Sequence, residues 1–267
     1  MPSMYLAHAF QRSLEKNFVI IHWDRRGAGK SYSEGIPPET VRVSQEIADT
    51  RELVNLLRAK FGQSRILLIG HSYGSYLGMI VLQRFPELFY AYIGIGQLAY
   101  SDERNSDAQD EWLKAKAKET NNRQLLEQLE TGVPIDREKW LFRFGGELHR
   151  KKSFTSLLWI GLLAPEYSIM DVLRVRKGVS FTHKNLKYDM IDGNLIDTVG
   201  RVDVPVYFFS GRYDYTDPFE FSQEYLNRLQ APRKEMVWFE ESAHFPFLEE
   251  PNRFASEVRR VSTETAP

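Results

Sequence analysis

The chain has no cysteine among its 267 residues. This absence excludes disulfide bonds, thiolate metal sites and cysteine nucleophiles. Long apolar runs are also lacking, since no stretch of about 18 apolar residues is present to span a bilayer. The first residues, MPSMYLAHAFQRSLEKN, carry mixed charge and have no apolar run typical of a signal peptide. We therefore expect no membrane span and a cytoplasmic location.

Neither sign of charge is in excess, with 35 Lys and Arg residues against 36 Asp and Glu residues. A basic surface for nucleic acid or for a membrane is therefore not expected. Hydrophobic residues make up 42% of the chain and charged residues 27%, the balance of an ordinary globular protein. Internal repeats and low-complexity linkers are absent as well, so we interpret the chain as one domain that carries an insertion.

Short apolar runs alternate with amphipathic stretches along most of the chain, which predicts an α/β fold with a mostly parallel sheet and helices on both faces. The expected strands are residues 17–24, 65–70, 89–95, 204–211 and 236–240, and the expected helices are residues 44–61, 76–85, 218–229 and 251–261. Between them, residues 101–130 are densely charged and residues 140–167 are rich in aromatic side chains. We expect this part to be a helical cap. The predicted division is a core of residues 1–100 and 199–267 with a cap of residues 101–198.

One turn carries the pattern of a nucleophile elbow. Gly70-His71-Ser72-Tyr73-Gly74 fits G-x-S-x-G, a strand-to-helix turn so tight that we expect only glycine to fit at its flanks. A buried strand is predicted to end at Gly70, and an apolar helix begins just after Ser72, which is the setting that the motif needs. Ser72 is therefore the candidate nucleophile. The alternative is an ordinary capping serine in a tight connection.

A serine nucleophile needs a base and an acid that orients the base. In the chain order Ser, Asp, His, the acid follows a later strand and the histidine follows the last one. Asp214 and His244 occupy these two places. Asp217 is a rival acid, but its position before Pro218 predicts helix capping. The remaining histidines fit less well, because one is expected inside a strand, one is the neighbour of the nucleophile and three follow no strand: His22, His71, His8, His149 and His183.

The segments DRRGAGKS, GHSYGS, GRYD and AHFPFLEEP together resemble the α/β-hydrolase superfamily, particularly relatives of proline iminopeptidase. The resemblance implies that Asp24 and Arg26, in the D-x-R-G turn, are mainly structural. It also implies that the insertion is a cap that covers the site and selects substrate.

Proline iminopeptidases are expected to hold the free amine of the substrate with cap carboxylates. Glu147 and Glu166 are available for that role here, although the acidic motif of the family's cap has no clear equivalent, and both side chains could simply be solvated. The aromatic residues of the cap are candidates for either its core or a substrate-binding wall: Trp140, Phe142, Phe144, Trp159 and Tyr167.

A second glycine-rich turn, Gly29-Lys30-Ser31, resembles the end of a phosphate-binding loop. The full pattern needs glycine where this chain has Asp24, and the YSEGIPPE that follows cannot open a helix. Nucleotide binding is therefore not expected.

The expected function is hydrolysis of a small ester or a short peptide amide through an acyl-enzyme on Ser72. The backbone N–H of Tyr73 is the expected oxyanion donor, and no metal or organic cofactor is needed. The alternative is a weakly active or inactive binding protein that keeps the hydrolase fold.

The start of the chain resembles the helix that follows the family's oxyanion loop. In the family, a strand ending in a His-Gly-Gly or similar loop comes before that helix, and the loop donates the other oxyanion N–H. We therefore expect the first three strands and this loop to be missing, at a cost of about a hundredfold in activity. The third of those strands lies between the equivalents of residues 17–24 and 65–70, so its absence would leave two open apolar edges. We expect these edges to pair directly, or another molecule to fill the gap, which would produce a homo-oligomer.

Overall fold

A computed structural model describes residues 11–101, 103–150, 168–189 and 194–266. Four parallel strands of this part of the chain form one sheet in the order β1-β2-β3-β4. They are β1 (Ile66–His71), β2 (Phe89–Ile95), β3 (Val206–Gly211) and β4 (Lys234–Phe239). The predicted parallel sheet is confirmed for these four strands.

The helices of the described residues begin and end close to the predicted positions. In the first part of the chain, α1 ends where Gly62 takes a left-handed conformation with φ 62°. The next helix, α2, stops before Pro86, which has no N–H to continue it. The bounds are α1 Val43–Phe61, α2 Tyr73–Arg84, α3 Glu103–Glu119, α4 Arg123–Thr131, α5 Arg137–Phe144, α6 Ile169–Asn185, α7 Leu195–Thr198, α8 Phe219–Arg228, α9 Pro246–Glu249 and α10 Pro251–Thr265.

Both faces of the sheet are covered. Side chains of β3 alternate between two buried clusters, because successive residues of a strand point to opposite faces. Val206 and Phe208 pack in the cluster that also contains residues of α1, α2 and α8. Tyr207 and Phe209 pack in the cluster that contains residues of α9 and α10. The predicted arrangement, helices on both faces of a parallel sheet, is therefore confirmed.

The helices α3 to α7 lie between β2 and β3 in the chain, although these two strands are neighbours in the sheet. Because β2 and β3 are parallel, the chain leaves the sheet at the carboxyl end of β2 and re-enters it at the amino end of β3. A bidentate ion pair joins α3 and α5 of this insertion. Arg137 Nε and Nη2 donate to the two carboxylate oxygens of Asp110 at 2.8 and 2.7 Å. The cap boundary at residues 101–198 stays a prediction.

The strand predicted for residues 17–24 is wrong. This segment pairs with no strand of the sheet. The expectation that residues 17–24 pair directly with the strand now identified as β1 is therefore wrong as well. Phe18 and Ile20 pack against a core cluster, but Val19 and Ile21 are 66% and 46% exposed. The segment therefore has one partly buried face, and its apolar composition was not enough to make it a strand, because no neighbouring strand of the described residues pairs with it. One edge of β1 stays unpaired by the described residues.

Among the described residues, no helix has both the length and the apolar character needed to cross a membrane.

Candidate active site

Ser72 lies in a strained turn between β1 and α2. Its φ of 53° and ψ of −122° are rare for a residue with a side chain, and strain of this kind persists only where the surroundings impose it. A Cβ atom at Gly70 would lie 2.4 Å from the carbonyl oxygen of Gly74, so glycine is required at the first flank. A Cβ atom at Gly74 would meet nothing within 4 Å, so the expectation that both flanks require glycine is wrong there.

Asp214 and His244 lie together beside this turn. His244 Nδ1 is 2.9 Å from Asp214 Oδ2, and the two side chains are only 2% and 1% exposed. The other oxygen of Asp214, Oδ1, accepts the backbone N–H groups of Thr216 and Asp217, both at 3.0 Å. Both oxygens of the carboxylate are therefore satisfied, and the histidine ring is held in one orientation. The loops after β3 and β4 bring these residues together, as expected for parallel strands whose carboxyl ends meet at one edge.

The charge on His244 depends on the acidic groups around it. Burial alone would lower the pKa of His244, but the charge and hydrogen bond of Asp214, with the charges of Asp217 and Glu147, raise it to about 9. The neighbouring His71 behaves in the opposite way, since burial and the charge of His244 lower the pKa of His71 well below its usual value. His71 Nε2 lies 2.9 Å from the carbonyl oxygen of His244, at the distance of a hydrogen bond that a neutral imidazole donates.

Asp217 does not cap a helix, so that prediction is wrong. The helix α8 begins at Phe219 with Pro218 at its N-cap position, and no side chain caps it. Instead, Asp217 Oδ2 accepts the hydrogen bond of the Ser72 hydroxyl at 3.5 Å and lies 4.0 Å from His244 Nε2. Burial, together with the charge of Asp214, raises the pKa of Asp217 to about 7, against the opposing effect of His244. Sequence reasoning missed this role because 145 residues separate Asp217 from Ser72 and the Asp-Pro pair is typical of a helix start.

Comparison with known proteins places this geometry in a family. The sequence pattern of the alpha/beta hydrolase family matches residues 1–257. The chain belongs to this family. It is thus a hydrolase of the α/β type, as the resemblance of its motifs implied.

Relatives of this hydrolase include peptidases and esterases. The probable aminopeptidase YbaC of Bacillus subtilis (strain 168) is 34% identical over 265 residues, which cover 96% of this chain and 83% of that protein. A proline iminopeptidase of Heyndrickxia coagulans is 24% identical, with 92% of this chain and 82% of that protein covered. Among solved structures, the proline iminopeptidase of Mycobacterium smegmatis has a TM-score of 0.70 at 18% identity, covering 98% and 85% of the two chains. An esterase of Exiguobacterium antarcticum has a TM-score of 0.61 at 19% identity, covering 97% and 87%. At such identities the two structures show the fold alone.

The insertion between β2 and β3 is joined to the loops after β3 and β4 through the backbone just after α5. The carbonyl oxygen of Glu147 accepts the N–H of His244 at 3.0 Å, and that of Gly146 accepts the N–H of Tyr215 at 2.9 Å. From α3, the Gln109 side chain donates to the carbonyl oxygen of Thr216 at 2.8 Å. Burial raises the pKa of the Glu147 carboxyl, and the charge of His244 opposes this shift. These contacts join the insertion to both loops, the one that carries Asp214 and the one that carries His244.

Tyr73, the residue after Ser72, is held by a second set of contacts. It is the first residue of α2, so its backbone N–H has no carbonyl partner within the helix. Its hydroxyl donates to Glu46 Oε2 at 2.7 Å, and the guanidinium of Arg25 lies 4.1 Å from the centre of its ring. Arg25 also donates to the other oxygen of Glu46, which is fully buried. These contacts hold Tyr73 beside the turn of Ser72.

The predicted substrate-binding residues Trp159, Glu166 and Tyr167 lie outside the described residues. Phe144 is described, at the end of α5, where its ring packs 5.5 Å from that of Trp140 and 6.4 Å from that of Trp112. Trp112 in turn stacks at 4.4 Å on Tyr215, the neighbour of Asp214. The structure thus joins Phe144 to the acid loop through an aromatic contact, and its role toward substrate stays a prediction.

The D-x-R-G turn makes local contacts. Arg26 binds Asp49 of α1 through two hydrogen bonds of 2.8 Å. Asp24 accepts the N–H of Lys30 at 2.9 Å, and a Cβ atom at Gly29 would lie 2.3 Å from its carboxyl carbon. These contacts fold the turn onto α1 and onto itself. Among the described residues, no group of three or more His, Asp or Glu side chains is arranged to hold a metal ion.

Proposed function

We propose that this hydrolase cleaves a small ester or amide through an acyl-enzyme on Ser72. The contact that carries the proposal is the buried 2.9 Å pair of His244 Nδ1 and Asp214 Oδ2 beside the strained turn of Ser72. Ser72 Oγ attacks the carbonyl carbon while His244 Nε2 takes its proton, and the Tyr73 N–H binds the developing oxyanion. His244 then protonates the leaving group. In the second half of the reaction, His244 takes a proton from water as the water attacks the acyl-enzyme, and then returns a proton to Ser72 Oγ.

The charges around the site favour a substrate that carries a positive group near the scissile bond. Asp217 and Glu147 both act on His244, and Asp217 lies 3.5 Å from the nucleophile oxygen. An aminoacyl amide or ester would bring its ammonium group into this acidic surrounding, whereas a neutral ester would gain nothing there. We therefore propose aminoacyl substrates before simple esters, in keeping with the aminopeptidase and iminopeptidase names of two relatives.

The assay compares a prolyl or other aminoacyl arylamide with a p-nitrophenyl ester of similar size. Ser72→Ala and His244→Ala should each lower kcat by roughly 10⁴-fold or more, and the double variant should be scarcely worse, because triad members act as a unit. Ser33→Ala, at an exposed serine, is the control and should keep full activity. Retained activity in Ser72→Ala would contradict the assignment. Multiplying losses would show that Ser72 and His244 act independently.

One contact favours a second candidate, an inactive binding protein with the hydrolase fold. The Ser72 hydroxyl donates to Asp217 and not to His244, so the nucleophile is not paired with its base in this structure. A fluorophosphonate probe distinguishes the two candidates, because it labels only an activated serine. Labelling that is lost in Ser72→Ala supports the enzyme, and an unlabelled folded protein supports the binding function.

Two further expectations stay proposals. The cytoplasmic location rests on the sequence alone. Self-association is proposed through the edge of β1 that the described residues leave unpaired, where Ile69 is 37% exposed.

A further inference from the structure

Asp217 contacts the two reacting groups of the proposed triad. Its Oδ2 atom lies 3.5 Å from Ser72 Oγ and 4.0 Å from His244 Nε2, whereas Asp214 binds the same ring at Nδ1. The imidazole of His244 therefore has a carboxylate on each side. Asp217 is only 6% exposed, so water screens this second carboxylate weakly.

We propose that Asp217 is a second carboxylate of the catalytic centre, which holds the Ser72 hydroxyl in the free enzyme and faces the imidazole of His244 from the side opposite Asp214. This inference rests on the proposed function, because it assigns Asp217 an effect on the base and the nucleophile of that reaction. Asp217 acts through His244 and Ser72 and is in this sense a positioning residue.

The electrostatic part follows from the groups that face the ring. Asp214 and Asp217 come from the loop after β3, Glu147 from the segment after α5, and His71 from the end of β1. Tyr188 also faces Asp217, and burial, with the charge of Asp217 among the smaller contributions, raises the pKa of Tyr188, which is therefore neutral. The three carboxylates together raise the pKa of His244 to about 9, although burial opposes them. Only the neutral imidazole can accept the serine proton, so kcat/KM should rise with pH as His244 loses its proton.

The hydrogen-bond part follows from the acceptor that Ser72 uses. A hydroxyl has one hydrogen to donate, and in this structure it goes to Asp217. Attack requires that this hydrogen point to His244 Nε2 instead. The exchange is possible only when Nε2 carries no proton, so loss of the proton from His244 is the precondition for release of Ser72 from Asp217. Asp217 and His244 lie so close that they titrate as a pair, and the apparent pKa values belong to the pair.

The test is the pH dependence of kcat/KM for the wild type, Asp217→Asn and Glu147→Gln. Asparagine keeps the size of the side chain and an oxygen that can accept from Ser72, but it removes the charge. In the wild type we expect a rising limb with its midpoint near pH 9. In Asp217→Asn this midpoint should fall by about one pH unit or more. Glu147→Gln is the matched control, since it removes another carboxylate that acts on His244 but does not contact Ser72, and its shift should be smaller.

If Asp217→Asn lost activity equally at all pH values and the midpoint of its pH profile did not move, the inference would be overturned. Asp217 would then have only a structural role. If the variant does not fold, the wild type decides, through an NMR titration of the His244 ring in histidine-labelled protein. Two coupled steps with the last one near pH 9 support the inference. A single step near the ordinary histidine value of about 6.5 overturns it. Activity that survives in Ser72→Ala would refute the proposed function itself, whereas an inactive Ser72→Ala with an unmoved midpoint refutes this inference alone.

Discussion

Gly96, the residue after β2, leaves room for His244, the proposed catalytic base, and Gly96→Ala should remove that room. A Cβ atom at this position would lie 2.6 Å from Cε1 and 2.7 Å from Nδ1 of His244, and 3.2 Å from Oδ2 of Asp214. The ring cannot swing away freely, because it is buried and Asp214 binds its Nδ1 atom. Alanine at this position should therefore displace the ring, the backbone of Gly96, or both.

The size of the effect follows from two separate costs. To reach ordinary van der Waals contact, the ring and the new methyl group must separate by roughly 1 Å, and a misplacement of that size costs about 100-fold in rate. Gly96 also has a φ of 51°, a left-handed conformation that costs alanine about 1 kcal/mol of stability. We therefore expect kcat/KM to fall about 100-fold.

Gly62→Ala is the matched control. Gly62 has a similar φ of 62°, but a Cβ atom there would meet nothing within 4 Å. Both variants should lose the free energy of unfolding that the left-handed backbone costs alanine, measured by urea denaturation, and Gly96→Ala should lose more because of the added clash. Only Gly96→Ala should lose activity. If Gly96→Ala kept kcat/KM within about threefold of the control, the steric reasoning would be wrong.

Two other predictions concern the contacts of Tyr73 and the edge of the sheet. Glu46→Gln should lower the free energy of unfolding by about 2 kcal/mol, because it leaves Arg25 without the buried carboxylate that neutralises its charge. Urea denaturation measures this loss, and a loss below about 0.5 kcal/mol would contradict the prediction. Ile69→Lys should convert a dimer of the wild type into a monomer in sedimentation experiments, because a charged side chain on an edge strand opposes pairing between copies. A wild type that sediments as a monomer at high concentration would refute self-association through β1.

The positions of the candidate triad were open to prediction because they follow from topology. In a parallel sheet the carboxyl ends of the strands share one edge, so residues that follow successive strands converge there. Ser72 follows β1, Asp214 follows β3 and His244 follows β4, and the structure places the acid and histidine of this set in contact. Identification of these strands, together with the G-x-S-x-G pattern and the chain order Ser, Asp, His, was therefore enough to select these three residues.

Two features could not be predicted from the topology. One depends on the path of a single turn, and the other on whether a neighbouring strand is present. Residues 17–24 have strand-like composition, but a strand also needs a partner, and the described residues provide none. Asp217 has the sequence setting of a helix cap, yet the turn after β3 directs its side chain toward Ser72. A local sequence pattern indicates which structures a segment is able to adopt, and its tertiary contacts determine which of them it adopts.

The bonds of Asp214 decide which substitution tests the two carboxylates separately. Its Oδ2 atom binds His244, and its Oδ1 atom accepts the backbone N–H of Asp217 and of Thr216. An asparagine at position 214 has only one oxygen, so it cannot accept from the ring and from the backbone of the turn together. Asp214→Asn should therefore keep its oxygen on the backbone of the turn and donate its NH2 group to Nδ1, which places the ring proton on Nε2. Its pH profile would then mix the loss of a charge with the loss of Nε2 as the acceptor of the serine proton. Asp217→Asn leaves every bond of the Asp214 carboxylate in place, because the bond to Asp217 uses only its backbone N–H. The contribution of Asp217 can thus be isolated by substitution, whereas that of Asp214 cannot.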